Sequence, residues 1–164
     1  MESREYTEND RDALVAVLRL NVPKYFNKRD VTDFQQYLRD CQWDGHIVFL
    51  GEEDRVIGCA SYYRKSSTGI RLLWMFFAPN AVGHHRIVPT FQEYLRTICA
   101  RLNVRRSSVT FSLNTTPFVA RLMSKIGFAV LETVKDGYGR GYDKVCMEMR
   151  QRTRNLSDAD VSGP

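Results

Sequence analysis

The chain has 164 residues, 43% of them hydrophobic and 26% charged, with a net charge of +5. These values are typical of one globular domain, and no stretch approaches the roughly 20 apolar residues of a membrane span. The charged N-terminus does not resemble a secretory signal. Four scattered cysteines without a CxxC pair favour buried, reduced thiols over disulfides or a zinc site, which predicts a cytoplasmic protein without a metal.

The first third of the chain predicts a short strand, two helices and two further strands. The strand covers residues 4–6, and Thr7 is a good N-cap for a helix over residues 8–20. A second helix is expected at about residues 30–41, where apolar residues recur at helical spacing. Strands are expected at 46–53 and 55–64 around a tight turn.

The stretch 70–89, IRLLWMFFAPNAVGHHRIVP, is the centre of the predicted fold. A β-prone run over residues 70–77 ends at Pro79, and a helix with Pro89 in its first turn follows. The apolar face of that helix is formed by Val88, Phe91, Leu95, Ile98 and Leu102. Unpaired N–H groups at the start of such a helix attract a phosphate, although a plain strand–loop–helix connection has the same pattern.

The last third of the chain predicts a strand, a helix and a final strand pair. The strand covers residues 107–113, and the helix begins at Thr116-Pro117 and ends at Gly127. Its inward face is expected to contain Val119, Leu122, Met123 and Ile126. The strand pair covers 129–135 and 142–149, so the folded domain spans 1–150. Residues 151–164 form a polar tail that we predict to be disordered.

The order of these elements is β-α-α-β-β-β-α-β-α-β-β, which predicts an α/β fold with a single mixed sheet. Three consecutive strands in the middle disfavour a doubly wound sheet. The charge is uneven along this order: residues 1–82 carry 11 Lys and Arg against 12 Asp and Glu, and residues 83–164 carry 13 against 7. The basic half suits an anionic ligand. Nucleic acid is the least favoured partner because no nucleic-acid-binding motif is present.

The element order and the motifs PNAVGHHR and ARLMSKIGF resemble the GNAT N-acetyltransferase family over about residues 3–150. The resemblance implies a twisted, mainly antiparallel sheet of about seven strands flanked by about four helices. It also implies acetyl-CoA as co-substrate, and direct attack by a primary amine of a small molecule or peptide. Membrane association is not expected. The resemblance is compatible with a homodimer but does not fix the oligomeric state.

The resemblance also implies where acetyl-CoA binds. Its pyrophosphate would lie at the loop 82–88 and its pantetheine arm along Phe76 and Phe77, with a backbone N–H near residues 75–77 polarising the thioester carbonyl. The implied cofactor-binding residues are Phe76, Phe77, Val82, Gly83, His84, His85, Arg86, Ile87, Val88 and Asn114. Tyr25 and Phe26 are candidates for shaping the acceptor pocket.

The sequence departs from the family pattern at two places. The family loop reads Q/R-x-x-G-x-G/A, whereas here Gly83 is its only small residue, and His84, His85 and Arg86 are the candidate replacement donors. Met123 occupies the position of the family's tyrosine acid, and a thioether cannot donate a proton.

Other side chains are candidates for the catalytic roles. Tyr142 and Tyr138 are candidate acids, with packing or surface roles as the alternative. Glu52 and Glu53 are candidate bases, with a solvated turn as the alternative. If the acid is simply missing, Met123→Tyr should raise turnover or leave it unchanged. The alternative function is a catalytically weak or inactive GNAT-like module that binds CoA or another protein.

Overall fold

The computed structural model describes residues 1–41, 43–81, 85–112, 117–137, 139–141 and 143–150, without the side chains of 109–112 and 117–119. The expected cap Thr116 and the tail 151–164 lie outside these ranges. The described elements, in chain order, are β1 (Glu2–Glu5), α1 (Arg11–Arg19), α2 (Lys28–Asp40), β2 (Gly45–Leu50), β3 (Val56–Ser66), β4 (Gly69–Phe77), α3 (Ile87–Arg101), β5 (Arg106–Ser112), α4 (Pro117–Ile126), β6 (Ala129–Val134) and β7 (Lys144–Arg150). The predicted order is confirmed.

All seven strands form one sheet in the order β1-β2-β3-β4-β5-β7-β6. Every neighbouring pair is antiparallel except β4 and β5, which are parallel. The predicted fold class, a mixed and mainly antiparallel sheet with four helices, is therefore confirmed. The order places β4 at the centre of the sheet.

The helices cover both faces of the sheet. Phe34 of α2 packs against Phe76, while Phe91 of α3 reaches the ring of Phe77 through Phe49. Phe76 and Phe77 are consecutive strand residues and point to opposite faces. Helix α4 joins α3, since Gln92 Nε2 donates to the carbonyl of Ile126 at 3.3 Å.

The expected core of α3 is confirmed where the structure describes it. Phe91, Leu95 and Ile98 are each at most 4% exposed. The sequence also predicts that Val109 and Phe111 of the strand 107–113 are buried with them, and these two side chains lie outside the described part. Gly127 ends α4 with a φ of 115°, the left-handed conformation expected of a helix stop.

Two details of the sequence-based prediction were wrong. The expected helix 8–20 is divided into a 3₁₀ turn at Glu8–Asp10, capped by Thr7, and α1. The cysteines are all free, but Cys41 is exposed because it follows the last turn of α2 instead of facing the sheet.

Candidate functional site

Strands β4 and β5 separate partway along the sheet. Their parallel pairing joins Gly69–Arg71 to Arg106–Ser108, and among the described residues it ends there. Beyond that point β5 stays paired with β7 as far as Ser112, so the gap opens on the side of β4. We call the space between residues 72–77 and 109–112 the β4–β5 opening.

Backbone N–H groups of β4 point into this opening. The N–H of Ala78 donates to the Ile57 carbonyl of β3 at 2.7 Å. Because successive strand residues direct their N–H groups to alternate edges, those of Phe77 and Met75 point toward β5. They lie at the residues where the sequence predicted a donor to the thioester carbonyl.

A β-bulge adjoins the end of the parallel pairing. Between two regular pairs, Ala60–Met75 and Tyr62–Leu72, β4 uses one residue more than β3. The extra residue lies at 73–74, directly after the last pair with β5. Bulges bend a strand and re-aim its side chains, which fits a strand that leaves its neighbour here.

Asn21 fixes the carboxyl end of β4 against α1. Its side-chain amide donates to the carbonyls of Phe77 at 3.0 Å and Val17 at 2.9 Å, and the side chain is 3% exposed. The Phe77 carbonyl, which points away from β3, is therefore satisfied. No pattern in the sequence singled out Asn21.

Helix α3 begins shortly after this end of β4. Its N-cap, Arg86, makes no side-chain capping bond, and the first turn contains no acidic residue. Thr90 N–H bonds to the Arg86 carbonyl at 3.0 Å, while Pro89 has no N–H to offer. The N-terminal dipole of this 15-residue helix is thus not offset by a carboxylate of its own first turn.

The expected cofactor residues fall into three groups. Phe76 and Phe77 are buried at the end of β4. His85 and Arg86 are exposed ahead of α3, and Ile87 and Val88 form the first turn of that helix, buried and half-buried. Val82, Gly83, His84 and Asn114 lie outside the described residues. The described members therefore lie at the carboxyl end of β4 and at the start of α3, and their role in cofactor binding stays a prediction.

Glu52, a candidate base, lies apart from the β4–β5 opening. It lines a cavity of about 520 Å³ with Arg55, His85 and Arg86, at the turn between β2 and β3. That turn is on the β3 side of β4, whereas the opening is on the β5 side. The structure therefore does not bring Glu52 together with the backbone donors of β4.

The position of the family's acid is closed. Met123 is 0% exposed, and the N–H groups of Gly127 and Phe128 bond to its carbonyl at 3.1 and 2.9 Å. The candidate acids Tyr138 and Tyr142 lie outside the described residues.

An aromatic layer lies between α2 and the sheet next to the opening. We call Phe26, Phe34, Tyr37, Trp74 and Phe76 the aromatic wall. The rings of Phe34 and Trp74 are 5.1 Å apart, and those of Phe26 and Trp74 are 6.2 Å apart and nearly parallel. Burial raises the pKa of Tyr37, which keeps its hydroxyl neutral. Tyr37 follows Phe34 by three residues, so helical periodicity could have placed both on one face of α2. Phe26 was already a candidate for shaping the acceptor pocket.

His46 is the titratable group that the sequence did not single out. It lies on β2 beside the aromatic wall, stacked on Tyr6 at 4.9 Å, and is 4% exposed. Neither ring nitrogen has a hydrogen-bond partner in the described part of the chain. Burial lowers its pKa from 6.5 to about 4, so His46 is neutral at physiological pH.

Metal and membrane features were searched over the same described residues. No group of His, Cys, Asp and Glu in them could hold a metal ion. None of the described helices combines the length and apolar character needed to cross a membrane.

Comparisons with known proteins give matches in structure. No protein-family model matches the sequence, and neither does any curated protein. A putative acetyltransferase of the GNAT family from Desulfovibrio desulfuricans has a TM-score of 0.78 at 15% identity, covering 90% of this chain and 97% of its own. An aminoglycoside 6'-N-acetyltransferase in complex with coenzyme A has a TM-score of 0.71 at 13% identity, covering 92% and 97%.

A third solved structure is similar over its whole length. The ribosomal-protein-alanine N-acetyltransferase from Brucella melitensis has a TM-score of 0.69 at 22% identity, covering 92% of this chain and 100% of its own. The sheet order, the separated parallel pair and these superpositions agree: this chain has the fold of the GNAT acetyltransferases.

Proposed function

We propose that this protein is an N-acetyltransferase that moves the acetyl group of acetyl-CoA to a primary amine. The observation that carries the proposal is the β4–β5 opening, with backbone N–H groups of β4 facing it. The start of α3, whose first turn contains no acidic residue, supports the proposal. The complex of a similar structure with coenzyme A supports the choice of cofactor.

The proposed reaction is direct transfer. The amine nitrogen attacks the thioester carbonyl, the N–H groups of Met75 and Phe77 are placed to stabilise the oxyanion, and the CoA thiolate leaves. The pyrophosphate would be held at the start of α3, near His85 and Arg86. A thiol has a pKa near 8.5, so a thiolate can leave at neutral pH without an acid in the place of Met123.

Calorimetric titration with acetyl-CoA tests the proposal. We expect saturable binding that is weakened by Arg86→Glu, more at low salt than at high salt. Arg105→Glu is the matched control, because Arg105 is an exposed arginine in the loop after α3, at the opposite end of the sheet. No binding by the wild type would contradict the proposal, and equal losses in both variants would remove the proposed role of Arg86.

A second candidate is a module that binds CoA but transfers the acetyl group slowly or not at all. The burial of Met123 favours it, since no proton donor occupies that position. Binding without transfer to any amine would support this candidate. Cytoplasmic location and a homodimer stay predictions, the second of which sedimentation velocity can test.

A further inference from the structure

Carboxylates are missing from both strands that border the β4–β5 opening. Between Asp54 and Glu132 the sequence has one acidic residue, Glu93. Glu93 is exposed on α3 and forms a salt bridge with Arg96. Strands β4 and β5, and the residues that follow each of them up to α3 and α4, therefore offer the opening no carboxylate.

Three described carboxylates on neighbouring elements already accept a hydrogen bond or form an ion pair, and Glu52 lines the cavity with His85 and Arg86 on the β3 side of β4. Asp30 at the start of α2 accepts the backbone N–H of Asn27 at 2.7 Å. Glu148 on β7 pairs with Arg150 at 2.9 Å. Asp136, in the turn after β6, accepts a backbone N–H of the same turn. His46 is too deeply buried to meet an acceptor.

The segment between α1 and α2 adds positive charge at the same place. Asn21 and Phe26 hold this segment against the carboxyl half of β4. Residues 20–29 include Lys24, Lys28 and Arg29 and no acidic residue. A polycationic acceptor would meet like charges here and no anion to hold it.

The aromatic wall offers a different kind of contact. Trp74 and Phe26 are half-buried, so part of each ring remains open next to β4. Their rings, 6.2 Å apart, give an apolar contact surface beside the bulge of β4. Such a surface binds an apolar or aromatic body and gives no advantage to an extended polar one.

Acceptor basicity then decides reactivity, because the attacking nitrogen must be neutral. A lysine-type amine has a pKa near 10.4, so only about 0.04% is neutral at pH 7. An α-amino group, with a pKa near 8, is about 10% neutral there. An enzyme with a carboxylate base can deprotonate a lysine-type amine on binding, and the described residues of β4 and β5 offer this opening no carboxylate.

We propose, resting on the acetyltransferase function above, that the acceptor is a weakly basic primary amine on an apolar body without further positive charge. α-Amino groups and arylamines share this chemistry. The neutral amine forms the C–N bond, the C–S bond breaks, and one amine proton is released to the departing CoA thiolate or to water. The products are the amide and free CoA.

The first test compares acceptors at pH 7 with saturating acetyl-CoA. The probes are phenylalaninamide, 4-methylaniline, Nα-acetyl-lysinamide and spermidine, with product measured by chromatography. We expect kcat/KM for phenylalaninamide to exceed that for the lysine derivative, by at most the roughly 200-fold ratio of their neutral fractions, because the less basic amine is also the weaker nucleophile. Preference for spermidine or the lysine derivative overturns the inference, as does no transfer to either weakly basic amine. The ratio of the first two probes separates α-amino from arylamine acceptors.

The second test is the pH profile of kcat/KM. Without an enzyme base, the rate rises about tenfold per pH unit and levels at the pKa of each acceptor, so the break moves from one acceptor to the next. A break at one fixed lower pH for every acceptor would reveal a base on the enzyme and overturn the inference.

Trp74→Leu tests the aromatic wall. We expect KM for phenylalaninamide to rise severalfold while the dissociation constant of acetyl-CoA stays unchanged. The matched control is Trp43→Leu, since Trp43 is the other tryptophan and its rings in contact are Tyr6, Tyr37 and His46. Equal KM changes in both variants overturn the role of Trp74. Absence of acetyl-CoA binding would refute the proposed function, whereas binding with transfer to spermidine refutes only this inference.

Discussion

The first turns of α2 and α3 differ in how the backbone N–H groups at the start of each helix are satisfied. In α2, Asn27 accepts the N–H of Asp30 at 3.0 Å and Asp30 accepts the N–H of Asn27 at 2.7 Å, a reciprocal capping box. Helix α3 has Arg86 at the same position and no acidic residue in its first turn. Helix α2 therefore carries an acidic residue in its own first turn, while the first turn of α3 has none, which supports the proposed binding of an anion there.

Because the N-cap residue of α3 makes no side-chain capping bond, we expect the packing of its buried face to stabilise the helix. Leu95→Ala should therefore lower the free energy of unfolding by about 2–5 kcal/mol, because Leu95 is 1% exposed and its removal leaves a cavity. Urea unfolding measures this change. Thr97→Ala, at an exposed position of the same helix, should stay within about 0.5 kcal/mol. Similar losses for the two variants would show that the helix face is wrongly assigned.

The second prediction concerns His46, which is buried beneath α2 and should resist protonation in the folded protein. The pKa of His46 is about 4 in the folded protein and 6.5 in the reference state, so the unfolded chain binds the proton first as pH falls. Stability should therefore drop by about 3 kcal/mol between pH 7 and pH 4 through His46, and be unaffected by it above pH 7.

His46→Leu isolates that effect from other titrating groups. The nearby Asp10 carboxylate, paired with Arg4 at 2.7 Å, has its pKa lowered to about 2 and stays ionised through this window. Urea unfolding at pH 7 and pH 4.5 should show a smaller pH dependence in the variant. Identical pH dependence would mean that His46 takes up its proton in the folded protein.

The next prediction concerns Met123 on α4, the buried residue at the position of the family's tyrosine acid. Because Met123 is 0% exposed, Met123→Tyr should overpack the core and cost about 1–3 kcal/mol of stability. This burial opposes the sequence-based expectation of unchanged or higher turnover. Met123→Leu, of similar volume, should cost less than about 1.5 kcal/mol. A tyrosine variant as stable as wild type, with faster single-turnover transfer, would restore the original expectation.

The capping box of α2 can be broken without touching the proposed cofactor site. Asp30→Ala should lower stability by about 1 kcal/mol, because the Asn27 N–H loses its acceptor. Asp33→Ala is the control, an exposed acid of the same helix at 3.6 Å from Arg29. Acetyl-CoA affinity should be unchanged in both. A loss of affinity in Asp30→Ala alone would mean that the two helix starts are coupled.

A substitution at Pro89 can give the first turn of α3 an acidic residue like the one in the first turn of α2. Pro89 is the third residue of α3, the position that Asp30 holds in α2. Pro89→Glu should be about 0.3–1 kcal/mol more stable than Pro89→Gln, because its charge offsets the helix dipole. It should also bind acetyl-CoA several-fold more weakly at low salt. Calorimetry on this pair removes the effect of losing proline, and equal affinities would argue against an anion at this helix start.

Local features of the sequence determined the elements and their order. Apolar residues at steps of three and four identified α3 and α4, and Thr7 and Gly127 were placed correctly as a cap and a stop. These signals lie within a few residues of one another, so they can be read along the chain. The 3₁₀ turn before α1 was missed because it has almost the same local pattern as an α-helix.

Only the tertiary structure decided where β4 and β5 separate and what faces the opening. The bond from Asn21 to Phe77 spans 56 residues. His46 is enclosed by rings from the residue after β1, from α2 and from the segment before β2. Likewise, the burial of Met123 follows from how α4 docks on the sheet, which its own periodicity cannot give. Such contacts join segments that are distant in sequence, and their geometry is set by the packing of the whole sheet and its helices.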